Sequence, residues 1–189
     1  MDEDEEVLDA GEENEEEDNN EEEIEFEDED ADPEEEDLSS PLIAAAVIGD
    51  LNAIQSLLEE GADKNETTDW GRTALWHAAK NGHLEIVRML LEQGADKDKA
   101  DRVGVTPLFA ACEYDRLSVV LLLVEQGACM ENTSNYGISP LYIACCRGHL
   151  EVARYLLEQG ADRDKANNGG TTPLPVSYTH LTLPTKRIV

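Results

Sequence analysis

Four Gly-Ala pairs stand 33 residues apart, at Gly61-Ala62, Gly94-Ala95, Gly127-Ala128 and Gly160-Ala161. A second glycine series, Gly71, Gly104, Gly137 and Gly170, keeps the same interval ten residues further on. The period therefore belongs to a whole structural unit and not to one recurring dipeptide, and the chain is a repeat array.

The physical content of one unit can be read from its residues. Ser40-Pro41, Thr106-Pro107 and Ser139-Pro140 each place a hydroxyl where it caps a helix and a proline in the first turn, where a missing N–H costs nothing. The segment that follows, such as Leu108-Phe109-Ala110-Ala111-Cys112, is apolar and rich in small residues, as suits a helix packed closely on both sides. Gly82-His83 and Gly148-His149 then make a turn. A second helix carries Leu150, Val152, Ala153, Leu156 and Leu157 at helical spacing and leaves Glu151, Arg154 and Glu158 for water; Gly160 stops it. The polar stretch around Asn135-Tyr136-Gly137 reads as the tight turn that leads to the next helix pair. No single pair of this size hides its apolar face, so neighbours must stack, and the end units need polar outer faces.

The unit Gly71-Arg72-Thr73-Ala74-Leu75-Trp76-His77-Ala78-Ala79, continued by Gly82-His83-Leu84-Glu85-Ile86-Val87, Leu90-Leu91 and Gly94-Ala95-Asp96, resembles an ankyrin repeat. Four units match over about Ser39 to Asp164, and a fifth opens at Gly170-Thr171-Thr172-Pro173-Leu174. The resemblance implies an all-α solenoid of stacked helix-turn-helix units with short β-hairpin connections. The repeats are expected over 39–65, 66–98, 99–131 and 132–164, with the fifth starting at 165–174. The first unit departs from the pattern at Gly49-Asp50 and Asn52-Ala53, and its helix from Leu42 to Ile48 is unusually apolar. It reads as an N-terminal capping repeat whose apolar face needs a cover.

Composition divides the chain. From Asp2 to Asp37 there are 25 acidic residues and no Lys or Arg, so this segment dominates the net charge of −30. The repeats are close to neutral by comparison. Residues 1–38 are expected to be a disordered acidic tail, because so little apolar content cannot offset the entropy of ordering. The bland reading is a solvated spacer; the functional ones are binding of basic proteins or occupation of the chain's own groove. Ile24-Glu25-Phe26 is the apolar island within the run, read as a chance pair of hydrophobes before a docking motif.

Residues 175–189 break the repeat in mid-motif. Where the register demands an aromatic or His and then Ala-Ala, Pro175-Val176-Ser177-Tyr178 follows, and a proline there would end the helix. Val176 to Thr185 is similar to a translated transposon-end sequencing adapter. Pro175 to Val189 is therefore expected to be non-native, with the natural sequence continuing differently after Leu174. Lys186-Arg187 then carries no nuclear signal, and Tyr178 and His180 are not site candidates.

No arrangement here supports catalysis, and no cofactor or metal is expected. Cys112 and Cys145 lie one period apart on the small-residue face and read as core thiols, too far apart for a disulfide. Cys129 and Cys146 complete no metal-ligand spacing, so reduced thiols in an intracellular protein, cytoplasmic or nuclear, are the reading. Gly169-Gly170-Thr171-Thr172 is in hairpin register and lacks the lysine of a phosphate loop. The longest apolar stretch, Leu117 to Val124, is far short of the roughly 20 residues of a membrane span. His83 and His149 occupy the turn where the family uses histidine structurally. The family's first-helix histidine is replaced by Ile43, Trp76, Phe109 and Tyr142, with His77 one position later, so a bulky apolar seam is expected in place of a polar ladder.

What the resemblance implies for function is a protein-binding surface on the hairpin tips and the exposed side of the first helices. By register those positions are Asp69, Trp70, Arg72, Lys80 and Asn81, then Arg102, Val103, Val105, Glu113 and Tyr114, and then Asn135, Tyr136, Ile138, Cys146 and Arg147. The expected function is a non-catalytic scaffold or adaptor for a protein partner, monomeric, with no direct nucleic-acid binding. The alternatives are a targeting module of a longer enzyme or regulator that continues after Leu174, and a binder of basic proteins acting through the acidic tail. Lys80, Arg72, Arg102 and Arg147 give the groove a partly basic character, from which it follows as a hypothesis that the tail occupies it until a partner displaces it.

Overall fold

The computed structural model describes residues 40–173. The expectations for the acidic tail, for Ile24-Glu25-Phe26 and for Leu174 onward lie outside these residues. Eight helices follow one another among them: α1 (Pro41–Ile48), α2 (Leu51–Glu59), α3 (Ala74–Asn81), α4 (Leu84–Glu92), α5 (Pro107–Glu113), α6 (Leu117–Glu125), α7 (Pro140–Cys146) and α8 (Leu150–Glu158). Odd-numbered helices form an inner layer in which α3 packs between α1 and α5, and α5 meets α7. Even-numbered helices form an outer layer, each against its own inner partner and the next outer helix. The result is an all-α repeat solenoid.

Helices of seven to nine residues are too short to be stable alone, so their ends and faces must be fixed from outside. The inner helices start as the hydroxyl pattern requires: Ser40, Thr73, Thr106 and Ser139 accept from the backbone N–H of Ile43, Trp76, Phe109 and Tyr142, at 3.4, 3.1, 3.2 and 3.1 Å. Each such cap contributes about 1 kcal/mol. Ala46, Ala79 and Cys112 are fully buried in one register, where the helices pass closest, while Cys145 in the same register is only partly covered. The expectation that Cys112 and Cys145 are equivalent core thiols therefore holds for the first alone. Among the described residues α7 has an inner neighbour on one side, and that leaves Cys145 at an edge.

The turn between the two helices is held by the preceding repeat. The imidazole Nε2 of His83 donates to the Val47 carbonyl at 3.2 Å, and that of His149 to the Glu113 carbonyl at 2.9 Å. Both histidines are scaffold, as the sequence implies. In the third repeat the same register holds Arg116, whose Nε donates to the Lys80 carbonyl at 2.9 Å. Asp115 stands where its neighbours have glycine and takes the left-handed conformation, φ 55°.

Two details differ from the sequence reading. Leu150, placed on the apolar face of α8, is 46% exposed, because the first residue of an outer helix lies on the turn and not over the core. The connections carry almost no strand. One isolated bridge joins Thr67 and Thr73, and the rest of each finger is a four-residue turn, closed for example by Gly137 N–H to Ser134 C=O at 2.9 Å. In the first repeat most of the apolar α1 is enclosed, with Leu42, Ile43, Ala45 and Ala46 buried, while Ile48 at its end is 74% and Leu51 on α2 36% exposed.

Candidate functional site

The fingers are stacked by backbone hydrogen bonds one period apart. Arg102 N–H donates to Trp70 C=O, Asn135 to Val103, and Asn168 to Tyr136, at 2.9, 2.9 and 3.0 Å. Side chains reinforce the stack. The Asn135 amide donates to the Arg102 carbonyl, and the Asn168 amide to the Asn135 carbonyl. This ladder fixes the finger tips as a rigid row, and what they expose is decided residue by residue.

The expected contact positions divide into two groups. Tyr136 is 54% and Tyr114 is 37% exposed, and Asp69, Arg102, Asn135, Cys146 and Arg147 are exposed with them. Trp70, Lys80, Asn81, Val103, Val105 and Glu113 are half-buried. Arg72 and Ile138 are buried, at 6% each, and offer nothing to a partner while the fold is intact. Arg72 is a structural residue: its Nε lies 3.3 Å from Asp101 Oδ2, both side chains being almost completely enclosed, and its guanidinium carbon stands 4.3 Å from the centre of the Trp76 ring. Asp101 in turn accepts from the N–H of Val103 and Val105, so the pair locks one finger to the next repeat. The sequence could have shown this, since Asp101 occupies the register of the turn-forming Thr68, Ser134 and Asn167 and its neighbour across the interface is an arginine.

The inner floor of this face is the apolar seam. Ile43, Trp76, Phe109 and Tyr142 are all buried. Tyr142 keeps a polar tie through its hydroxyl, which accepts from the Asn167 amide at 3.2 Å. Its phenol is pushed upward in pKa by burial first and by the neighbouring Cys146 second. Trp76 has no such tie: its indole Nε1 is buried without a hydrogen-bond partner. His77, one position on, is buried and meets the Trp76 ring edge-on. Lys80 reaches over this floor, its Nζ 5.4 Å from the Trp76 ring centre and 5.1 Å from that of Tyr114 on the next repeat. Arg147 pairs with Glu113 at 2.9 Å and remains about half exposed.

A second ladder, which the sequence reading missed, runs along the loops after each Gly-Ala. Asn65, Asp98 and Glu131, one period apart, each accept from a backbone N–H of the following repeat, at Asp96, Cys129 and Asp162. Lys99 and Lys165 donate to the Asn65 and Glu131 carbonyls. The 33-residue spacing of the acceptors was the available signal.

The thiols behave according to burial. Cys112 is enclosed and its pKa is pushed far above the ordinary range; burial pushes Cys145 up to about 11. Cys146 is raised by partial burial, with the Tyr142 hydroxyl and Arg147 opposing the shift. Among the described residues no three His, Cys, Asp or Glu side chains stand close enough to hold a metal ion, and no helix is long and apolar enough to cross a membrane.

The fold and surface together define a helical repeat solenoid that presents a ridged face. Family models for ankyrin repeats match residues 41–134, as three copies, and residues 136–168, as a further repeat. The chain belongs to the ankyrin repeat family, with about four repeats. Ankyrin repeats are generally protein–protein interaction modules. No curated protein matches the chain.

Proposed function

We propose that this chain is a non-catalytic, monomeric scaffold or adaptor that holds a protein partner across the finger tips and the exposed side of α3, α5 and α7. The observation that carries the reading is the row of aromatic residues on this face. Tyr136 and Tyr114 are exposed, and Trp70 is half-buried on the first finger, so rings with an apolar body and a polar tip stand along one face. Such residues dominate the binding energy of many interfaces, and here the backbone ladder holds them without further ordering cost. Arg72 and Ile138 support the face from beneath and are left out of the contact set. The four free thiols are in keeping with a reducing compartment, which supports an intracellular location.

A photo-crosslinking amino acid placed at position 136 or 114 of the full chain, with a control at Arg88 on the outer helix α4, tests the reading. Covalent partner adducts from 136 and 114, absent from 88, support it. Adducts distributed evenly over the three positions, or formed from 88 alone, overturn it.

A further inference from the structure

We infer that the partner segment held on this face is acidic and extended, and that Lys80, Arg102 and Arg147 select it. The inference rests on the scaffold reading above and adds the chemistry of the partner.

Charge on the repeats is divided unevenly. With the buried Arg72–Asp101 pair set aside, the expected contact positions hold three basic and two acidic residues, while the rest of residues 40–173 hold eight basic and sixteen acidic. Most of the surface repels a polyanion, and this face does not. Among the repeats, an acidic segment is therefore repelled least here.

Each of the three cations is held by its surroundings. Lys80 is flanked by the Trp76 and Tyr114 rings, and attraction to their faces restrains the ammonium while leaving its charge intact. Arg102 lies on a finger whose backbone is bonded to Trp70. Arg147 is oriented by Glu113. They sit on the second, third and fourth repeats. Lys80 and Arg147 stand at the C-terminal ends of α3 and α7 and Arg102 on the finger before α5, so a segment that meets all three must reach across three repeats. Carboxylates on such a segment pair with these cations, and apolar side chains between them meet Tyr114 and Tyr136.

The test uses the full chain and a fluorescein-labelled 12-residue peptide in which Glu recurs every third position among Leu and Ser, with a twin carrying Gln for Glu. Fluorescence anisotropy at 50 mM salt is expected to give a Kd at least about tenfold tighter for the Glu peptide. Lys80→Gln and Arg102→Gln should each weaken it about three- to tenfold, and Arg88→Gln on α4 should leave it unchanged. Arg102→Glu, an exposed position that the fold does not depend on, should remove the preference for Glu over Gln. Equal binding of the two peptides, no binding of the Glu peptide, or an equal loss in Arg88→Gln overturns the inference. If both peptides bind alike and Tyr136→Ala weakens both, the scaffold reading stands and only the acidic selectivity falls. If crosslinks from 136 and 114 also fail, both fall.

Discussion

At the scale of the residue, the repeats differ most usefully where one of them lacks what the others have. Asp63, Asp96 and Asp162 each fold their carboxylate back onto the N–H two residues later for Asn65 and Asp98 and for Asp164, at 2.9, 3.1 and 2.9 Å. In the third repeat this position is Cys129, which has no such acceptor. Cys129→Asn restores one without adding charge beside Asp98 and Glu131, and should stabilise the protein by about 0.5–1 kcal/mol in urea unfolding; a loss of stability would show that the loop geometry cannot accept it. The thiols give a second comparison. Alkylation followed by mass spectrometry at pH 8 should modify Cys129 and Cys146 first, Cys145 slowly and Cys112 only on unfolding, because the thiolate is the reactive form and burial disfavours it. The sign for stability follows. A thiol whose folded pKa is raised keeps its proton after the unfolded chain has lost it. The contribution from Cys145 is thus complete below its ordinary value of 9.0 and is lost as pH rises toward about 11. Early modification of Cys112 would contradict the enclosed core described here.

At the scale of the element, the helices were legible and the joints were not. Hydroxyl caps, prolines and small-residue faces are local signals, and each inner helix begins where they place it. The apolar seam of Ile43, Trp76, Phe109 and Tyr142 was legible for the same reason. The exposure of Leu150, the burial of Arg72 and the acceptor ladder of Asn65, Asp98 and Glu131 depend on which atom of one repeat meets the next, which spacing within a repeat does not reveal. Glycines at the joints make that dependence measurable. Gly127 and Gly137 have nearly the same left-handed backbone, φ 76° and 77°. A Cβ on Gly127 would meet nothing, whereas one on Gly137 would lie 2.8 Å from the Asn168 backbone nitrogen in the next finger. Gly127→Ala should cost only the backbone term of about 1–2 kcal/mol, and Gly137→Ala more than that, by thermal or urea unfolding. Equal costs would mean that the fingers slide past each other freely and that their stacking does not hold the contact face in place.

At the scale of the whole molecule, two charge distributions share one chain: a face on which basic residues slightly outnumber acidic ones, and 25 acidic residues between Asp2 and Asp37. A dense negative segment on the same chain lowers the local concentration of any acidic partner and slows its approach, whatever its conformation. These effects act through the field, so they are screened over about 10 Å at 0.1 M salt and less at higher salt. Removing residues 2–37 should therefore tighten binding of the Glu peptide several-fold at 50 mM salt, chiefly through a faster on-rate, and the two proteins should converge by 300 mM. The Gln peptide should show little change at either salt. If the truncated and full chains bind the Glu peptide identically at 50 mM, the acidic segment exerts no control over the repeats and is a spacer. If the gain persists undiminished at 300 mM, its cause is not electrostatic, and a specific contact that excludes the ligand must take its place.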